Sequence, residues 1–194
     1  MTNVLILGAN GRLARNTTAY LLQHTNAHLR LYLRKANRLK RPDVQRVEIV
    51  EGDVLDAVTL RAAMEGQDIV FASLAGAMAA QAKAIVHAMQ AVGCMRLIFT
   101  SSMGIYGEVP GERYRSVLDP YRDSAAIIEA SDLDFTILRP GWFTTDTAVS
   151  YRLTQRDEPF DGHDVSLNSI SDVVAKIVAT PSLHSRTSLG IAKG

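Results

Sequence analysis

Gly8, Gly11 and Ala14 stand at three-residue intervals directly after an apolar run at residues 4–7. In that setting the residue types suit phosphate chemistry. Gly8 permits a sharp turn, Gly11 lets backbone come close to a bound group, and Ala14 lets a following helix pack on the preceding strand. A helix that begins there directs unpaired N–H groups and a partial positive charge at whatever lies over the turn, which suits a pyrophosphate. The spacing Gly-x-x-Gly-x-x-Ala differs from the commoner Gly-x-Gly-x-x-Gly, and a plain tight strand-to-helix turn is the alternative reading. Other chemistry-bearing types are sparse. Cys94 is the only cysteine, so an intramolecular disulfide and a Cys-rich metal site are both ruled out, and its neighbours Gly93, Met95 and Leu97 suit an apolar filler. The five histidines, at 24, 28, 87, 163 and 184, lack ligand spacing such as His-Glu-x-x-His. A Gly-x-Ser-x-Gly elbow and a P-loop are absent, which removes the hydrolase and nucleoside-triphosphatase readings.

The hydrophobic pattern supplies the elements that must position such residues. Residues 4–7 read as a buried parallel strand, because they are continuously apolar rather than alternating. Helical periodicity follows through Leu13, Thr17, Tyr20 and Leu21 to about residue 24. Further strands are expected at 29–33, 45–50, 68–72, 96–100 and 135–138, with short ones at 164–167 and 188–191. Helices are expected at 56–65, with Asp56 as N-cap and Gly66 as stop, and at 78–92, ending at Gly93. Two more run from Asp119, read as an N-cap before Pro120, to about 130, and over 171–179. Residues 103–118 read as a long loop and 141–163 as polar and irregular. Alternating strands and helices with short connections predict one α/β domain over 1–194. It is a single-domain, Rossmann-like, doubly wound parallel sheet with right-handed crossovers and helices on both faces. Ligands on such a sheet bind beyond the carboxyl ends of the strands, which singles out 8–14, 34–38, 53–54, 73–76 and 101–106.

An apolar fraction of 47% and a charged fraction of 21% are those of an ordinary soluble protein. A formal net charge of +1 gives no reason to expect a nucleic-acid or anionic membrane partner. No apolar run approaches a membrane span, and residues 4–7 are too short for the core of an export signal. The expected location is the cytoplasm, as a monomer or homodimer whose partner is a small-molecule substrate.

Five stretches carry a resemblance: Gly8-Ala9-Asn10-Gly11-Arg12-Leu13-Ala14, Leu33-Arg34-Lys35-Ala36-Asn37-Arg38-Leu39, Gly52-Asp53-Val54, Leu97-Ile98-Phe99-Thr100-Ser101-Ser102 and Asp132-Leu133-Asp134-Phe135-Thr136-Ile137-Leu138-Arg139-Pro140-Gly141. Together they resemble the atypical short-chain dehydrogenase/reductase group of small NAD(P)H-binding proteins, close to its NmrA-like and biliverdin-reductase-B-like members. The resemblance covers residue 3 to about 193. It implies that Gly8, Asn10, Gly11, Arg12 and Leu13 hold the pyrophosphate, and that Asp53 bonds the adenine with Val54 packed on it. It further implies that Ser73, Leu74, Ala75 and Gly76 line the riboses, that Ser101 joins the cofactor contacts, and that Pro140, Gly141, Trp142 and Phe143 flank the nicotinamide. A simple turn residue is the alternative for Asp53. Ser102 falls where this superfamily places a substrate-facing serine, with capping of the loop backbone as its alternative. One departure matters. The superfamily's Tyr-x-x-x-Lys pair is missing, because Tyr106, Tyr114 and Tyr121 are followed four residues later by Pro110, Leu118 and Ala125. Tyr106 and Tyr121 remain as candidate phenolic proton donors, against core packing of their rings.

The residues after the second strand bear on cofactor choice. Sheets that bind NAD usually carry a carboxylate there to accept from the ribose 2′-OH. This chain carries Arg34-Lys35, with Arg38 one turn on and Arg12 in the first turn. Guanidinium groups form paired, charge-assisted bonds to a 2′-phosphate, so NADP(H) is expected to be preferred over NAD(H). A solvated basic loop is the alternative, since Arg30, Lys40 and Arg41 lie nearby. Two functions follow. One is an NADPH-dependent reductase of a quinone, flavin-like or carbonyl compound; the other is a non-catalytic redox sensor of the NmrA-like type. No metal site is expected.

Overall fold

The first strand fixes the architecture. Asn3–Leu7 (β1) is buried on both faces: Val4 and Ile6 pack into one core, Leu5 and Leu7 into the other. Such a strand belongs in the middle of a parallel sheet. The computed structural model describes residues 1–39, 43 and 45–194, with only the backbone of Arg38. After β1 come α1 (Arg12–His24), β2 (His28–Leu33), β3 (Val47–Glu51), α2 (Ala57–Met64), β4 (Ile69–Ala72), α3 (Met78–Val92) and β5 (Arg96–Thr100). The second half holds α4 (Asp119–Glu129), β6 (Asp134–Pro140), β7 (Trp142–Thr144), β8 (Arg152–Thr154), β9 (Asp164–Ser166), α5 (Leu167–Ala179) and β10 (Thr187–Ala192).

The main sheet has the order β3-β2-β1-β4-β5-β6-β10-β8, parallel throughout except for the β10–β8 pair. Helices α1 and α5 pack together on the face of Val4 and Ile6, and α2, α3 and α4 cover the face of Leu5 and Leu7. The expected doubly wound sheet is therefore present. Its order reverses between β1 and β4, where the carboxyl ends of neighbouring strands diverge to leave a crevice.

Boundaries agree wherever a local signal is strong. The helix expected at 78–92 spans those residues and ends at Gly93 in the left-handed conformation, φ 74°. Asp56 caps α2 by accepting from Val58 N and Thr59 N. Three expectations are corrected. Residues 141–163 are not wholly irregular: Trp142–Thr144 pairs with Asp164–Ser166 in a small parallel sheet, and Arg152–Thr154 joins the main sheet as its antiparallel edge. The last helix begins at Leu167 rather than 171, because Ser166 Oγ accepts from Ser169 N and caps it. Asp119 is the first helical residue of α4 and not its cap, and its carboxylate binds Tyr114 Oη and Arg122 instead. Among the described residues no helix is long and apolar enough to cross a membrane.

Candidate functional site

The turn after β1 is built around two glycines. Gly8 has φ +75°, and a Cβ there would sit 2.3 Å from the Ser73 carbonyl oxygen, so glycine is required by both conformation and space. Gly8 N and Ala9 N donate to Tyr32 O, which ties the turn to β2. Gly11 donates to Gly8 O at 2.9 Å and is the N-cap of α1, with no side chain capping the helix. The first-turn N–H groups of α1 therefore face the crevice without intrahelical partners. The α3 helix also starts beside the crevice, and its N-cap Ala77 offers no side-chain acceptor. By contrast, α2 and α5 are capped by Asp56 and Ser166, while α4, away from this turn, starts after Leu118 without a side-chain cap.

A cavity of about 660 Å³ lies over this turn, within the range of small-molecule sites. Of the residues expected at a cofactor, Gly8, Asn10, Gly11, Arg12, Leu13, Arg34, Asp53, Val54, Ser73, Leu74, Ala75 and Phe143 line it. Arg12 spans its rim, donating from Nη2 to Thr144 O at 3.3 Å. Exposed Arg34 and Lys35 border it beyond β2, on backbone fixed by Glu51, whose carboxylate accepts Ala36 N–H at 2.7 Å. The side chain of Arg38 lies outside the described residues. Asp53 serves as a turn residue as well as a lining one, since its Oδ1 accepts Leu55 N–H at 2.9 Å.

Sequence reasoning missed two supports of this cavity. Tyr32 is fully buried and donates to Asp53 O at 2.8 Å, and a Cβ on Gly52 would meet its hydroxyl at 2.2 Å. Burial, reinforced by the Asp56 and Asp53 carboxylates, pushes this phenol up to about 12, so it stays a donor. Gln81 lines the cavity from α3, donating to Ala75 O at 3.3 Å, while its Oε1 is buried without a partner among the described residues. The only sequence signal for Gln81 was an amide in the otherwise alanine-rich start of α3. These features fit a dinucleotide: uncapped helix starts for phosphates, basic side chains beyond β2, and an orphaned buried acceptor in the wall.

Several expected residues stand differently. Gly76, φ +92°, is exposed and continues the loop past Ala75. Pro140 and Gly141 are buried rather than displayed to a ligand: Pro140 extends β6 beside Ile191, its carbonyl accepting Met103 N–H, and Gly141 packs against His163 O. Trp142 and Phe143 are 54% and 38% exposed. Ser101 is buried, its Oγ without a partner among the described residues. Ser102 Oγ donates to the adjacent Met103 O at 3.1 Å, a loop-capping bond. Tyr121 is half-buried on α4, packed on the core.

Tyr106 requires a correction as a proton donor to this cavity. Its hydroxyl donates to Glu129 Oε1 at 2.6 Å, and Arg139 and Arg156 lie over its ring. Burial and the Glu129 bond push the phenol up to about 12. Beside it Arg139 and Glu108 form an ion pair with side-chain exposures of 0% and 4%. Arg139 also donates to Ser188 Oγ and to the Gln155 and Ser188 carbonyls, and Glu108 accepts Gly104 N–H and Tyr106 N–H. This network pins the loop after β5 to β6.

Known proteins place this geometry. A family model described as NAD(P)H-binding matches residues 8–181. Among solved structures, a Rossmann-fold NAD(P)-binding family protein from Shigella flexneri is 39% identical, with TM-score 0.88 over 100% of this chain and 94% of its own. A short-chain dehydrogenase/reductase from Veillonella parvula DSM 2008, solved in complex with NADP, is 28% identical, with TM-score 0.89 over 99% of this chain and 94% of its own. At 20% identity, the anaerobillin reductase ChuY from Escherichia coli O157:H7 shares the fold, with TM-score 0.84 over 99% of this chain and 97% of its own. No curated protein sequence matches significantly. With most of its length matched and the glycine turn opening on the crevice at the strand switch, the chain belongs to the NAD(P)H-binding family.

Proposed function

We propose that the protein is an NADPH-dependent reductase of a small electrophile, such as a quinone, a flavin-like ring or a carbonyl compound. The observation that carries this reading is the lining of the cavity, where the glycine turn, Asp53 and the exposed pair Arg34 and Lys35 border one space. Bound reduced dinucleotide supplies the hydride, which is the difficult part of the chemistry. The chain's residues bind and orient. First-turn N–H groups of α1 would take the phosphates, Tyr32 fixes the Asp53 backbone where the adenine would lie, and Gln81 holds Ala75 while its Oε1, without a partner among the described residues, would accept from the dinucleotide. Phe143 closes the far wall, with Trp142 next to it as an exposed platform for a planar substrate.

Preference for NADP(H) follows from the absence of a carboxylate directly after β2 and the presence of Arg34, Lys35 and Arg38 there. The Veillonella relative solved with NADP supports the same choice. The expected ratio of affinities is about tenfold, or roughly 1.4 kcal/mol. Titration with NADPH and NADH, with a turnover screen over quinones, dyes and aldehydes, tests both parts. Replacing Arg34 and Arg38 with Ala should remove most of the preference and leave NADH affinity nearly unchanged; equal affinities in the unmodified protein reject it. The sensor reading is favoured by one observation, the engagement of Tyr106 with Glu129 in place of a Tyr-x-x-x-Lys pair. Tight dinucleotide binding without oxidation of NADPH by any acceptor selects it.

A further inference from the structure

We infer that Arg12 is a positioning residue that straps the pyrophosphate of a bound dinucleotide to β7, so that cofactor binding fixes Phe143 in the cavity wall and the Trp142 shelf beside it. The inference deepens the reductase reading above and rests on it for the acceptor; the strap itself needs only a bound dinucleotide. Arg12 opens α1 at the glycine turn, and its exposed side chain crosses the cavity rim to Thr144, the last residue of β7. A guanidinium carries several N–H donors in a planar fork. Among the described residues Arg12 has one partner, Thr144 O at 3.3 Å from Nη2. That length lies just beyond the usual range for an N–H···O bond. The rest of the fork is left free beside the first-turn N–H groups of α1.

The strand that Arg12 reaches needs such a tie. Among the described residues β7 pairs only with β9, three residues against three, in a sheet separate from the main one. A two-stranded ribbon that short is marginal without outside support. The chain just past β7 has fixed support. Asn168 Nδ2 donates to Thr147 O at 2.8 Å, and its Oδ1 accepts from Asn16 Nδ2 at 3.0 Å. Asn16 Oδ1 in turn accepts from Ser171 Oγ at 2.8 Å, and Ser166 Oγ donates to Ala148 O at 2.6 Å. Both ends of each amide are used, so this tie has nothing to offer a ligand. The Arg12 tie differs. Held by one exposed bond, it orders β7 weakly, whereas a phosphate on the other edge of the fork adds paired, charge-assisted bonds that lock the side chain in place. A lysine ammonium, a single point on a flexible stem, keeps the charge but has no second edge. Coupling between two bound ligands is reciprocal, so an acceptor that uses the ordered shelf tightens dinucleotide binding by the same factor.

The test uses the intact protein and 2′-phospho-ADP-ribose, which has the adenosine, 2′-phosphate and pyrophosphate of NADPH but no nicotinamide to stack on an indole. Trp142 is the only tryptophan and is 54% exposed, so acrylamide quenching of fluorescence reads its shelf alone. With 2′-phospho-ADP-ribose saturating by calorimetry, quenching should fall in the unmodified protein. Arg12→Lys should still bind the compound, yet its quenching should be the same with and without it. In turnover with NADPH saturating and phenanthrenequinone as acceptor, Arg12→Lys should raise the acceptor KM about fivefold or more, the low end of usual coupling between sites, and by more than it lowers kcat. Quenching that ignores 2′-phospho-ADP-ribose in the unmodified protein, quenching that falls equally in Arg12→Lys, or an unchanged acceptor KM overturns the strap and leaves the reductase reading standing. Failure of the unmodified protein to oxidise NADPH with any acceptor in the screen overturns the reductase reading, and the quenching result then decides the strap alone. No saturable binding of 2′-phospho-ADP-ribose or of NADPH overturns both.

Discussion

The crevice at the carboxyl ends of β1 and β4 and the Arg139–Glu108 network beyond β5 and β6 treat polar groups in opposite ways, although Thr100 Oγ1 and Ser101 Oγ at the end of β5 also lack partners among the described residues. At the first, α1 and α3 start without side-chain caps, Gln81 Oε1 has no partner among the described residues, and Arg34 and Lys35 are exposed. At the second, buried Arg139 is bonded through Nε, Nη1 and Nη2, and both oxygens of Glu108 accept. Polar groups left open beside a cavity are available to a ligand, whereas groups satisfied within the protein hold a scaffold. The difference teaches why Tyr106, near in sequence to the expected catalytic position, is part of the scaffold. Its hydroxyl completes the second network.

The largest effect is expected from breaking the second region. Glu108→Ala leaves the Arg139 guanidinium buried without its carboxylate, which should cost about 3–5 kcal/mol of folding stability in chemical denaturation. A loss under about 1 kcal/mol would mean that the pair is dispensable and the contrast overstated. Next, Gly11→Val attacks the first region. The added Cβ meets Gly8 O at 3.2 Å, a contact met by a small shift, while its methyls occupy the phosphate approach. Dinucleotide affinity should fall about a hundredfold, roughly 2.7 kcal/mol, with the melting temperature within a few degrees of the parent. Affinity unchanged in a titration would move the phosphate site elsewhere.

The smallest effect sharpens the contrast through pH. Tyr106→Phe should cost about 1–2 kcal/mol near neutrality by removing a bond to a carboxylate. In the unmodified protein the folded-state phenol is raised from 10.0 to about 12, so its contribution is complete below pH 10.0 and is lost as pH climbs toward about 12. The variant's stability should therefore fall less steeply over that window, the remaining slope coming from the other raised groups, among them Tyr20, Tyr32 and Cys94. Identical alkaline slopes in the two proteins would contradict the assignment.

Sequence alone determined whatever rests on neighbours in the chain. Continuous apolar residues at 4–7 and 97–99 specify buried strands, Gly93 stops α3, Asp56 caps α2, and the Gly8–Ala14 spacing builds the turn, because each depends on local periodicity and backbone freedom. Only the tertiary structure decided what depends on partners far along the chain. Arg139 finds Glu108 across 31 residues, and Arg12 reaches Thr144 across 132. Residues 142–144 become a strand because residues 164–166 lie alongside, and the edge strand at 152–154 runs antiparallel because β10 offers it a ladder. Tyr106 shows the limit most clearly. Its type and position suit a proton donor, yet its role is set by Glu129, 23 residues away, and by two arginines that only the folded chain brings to its ring. Long-range pairing is a property of topology, and a side chain's chemistry follows from the groups that topology places against it.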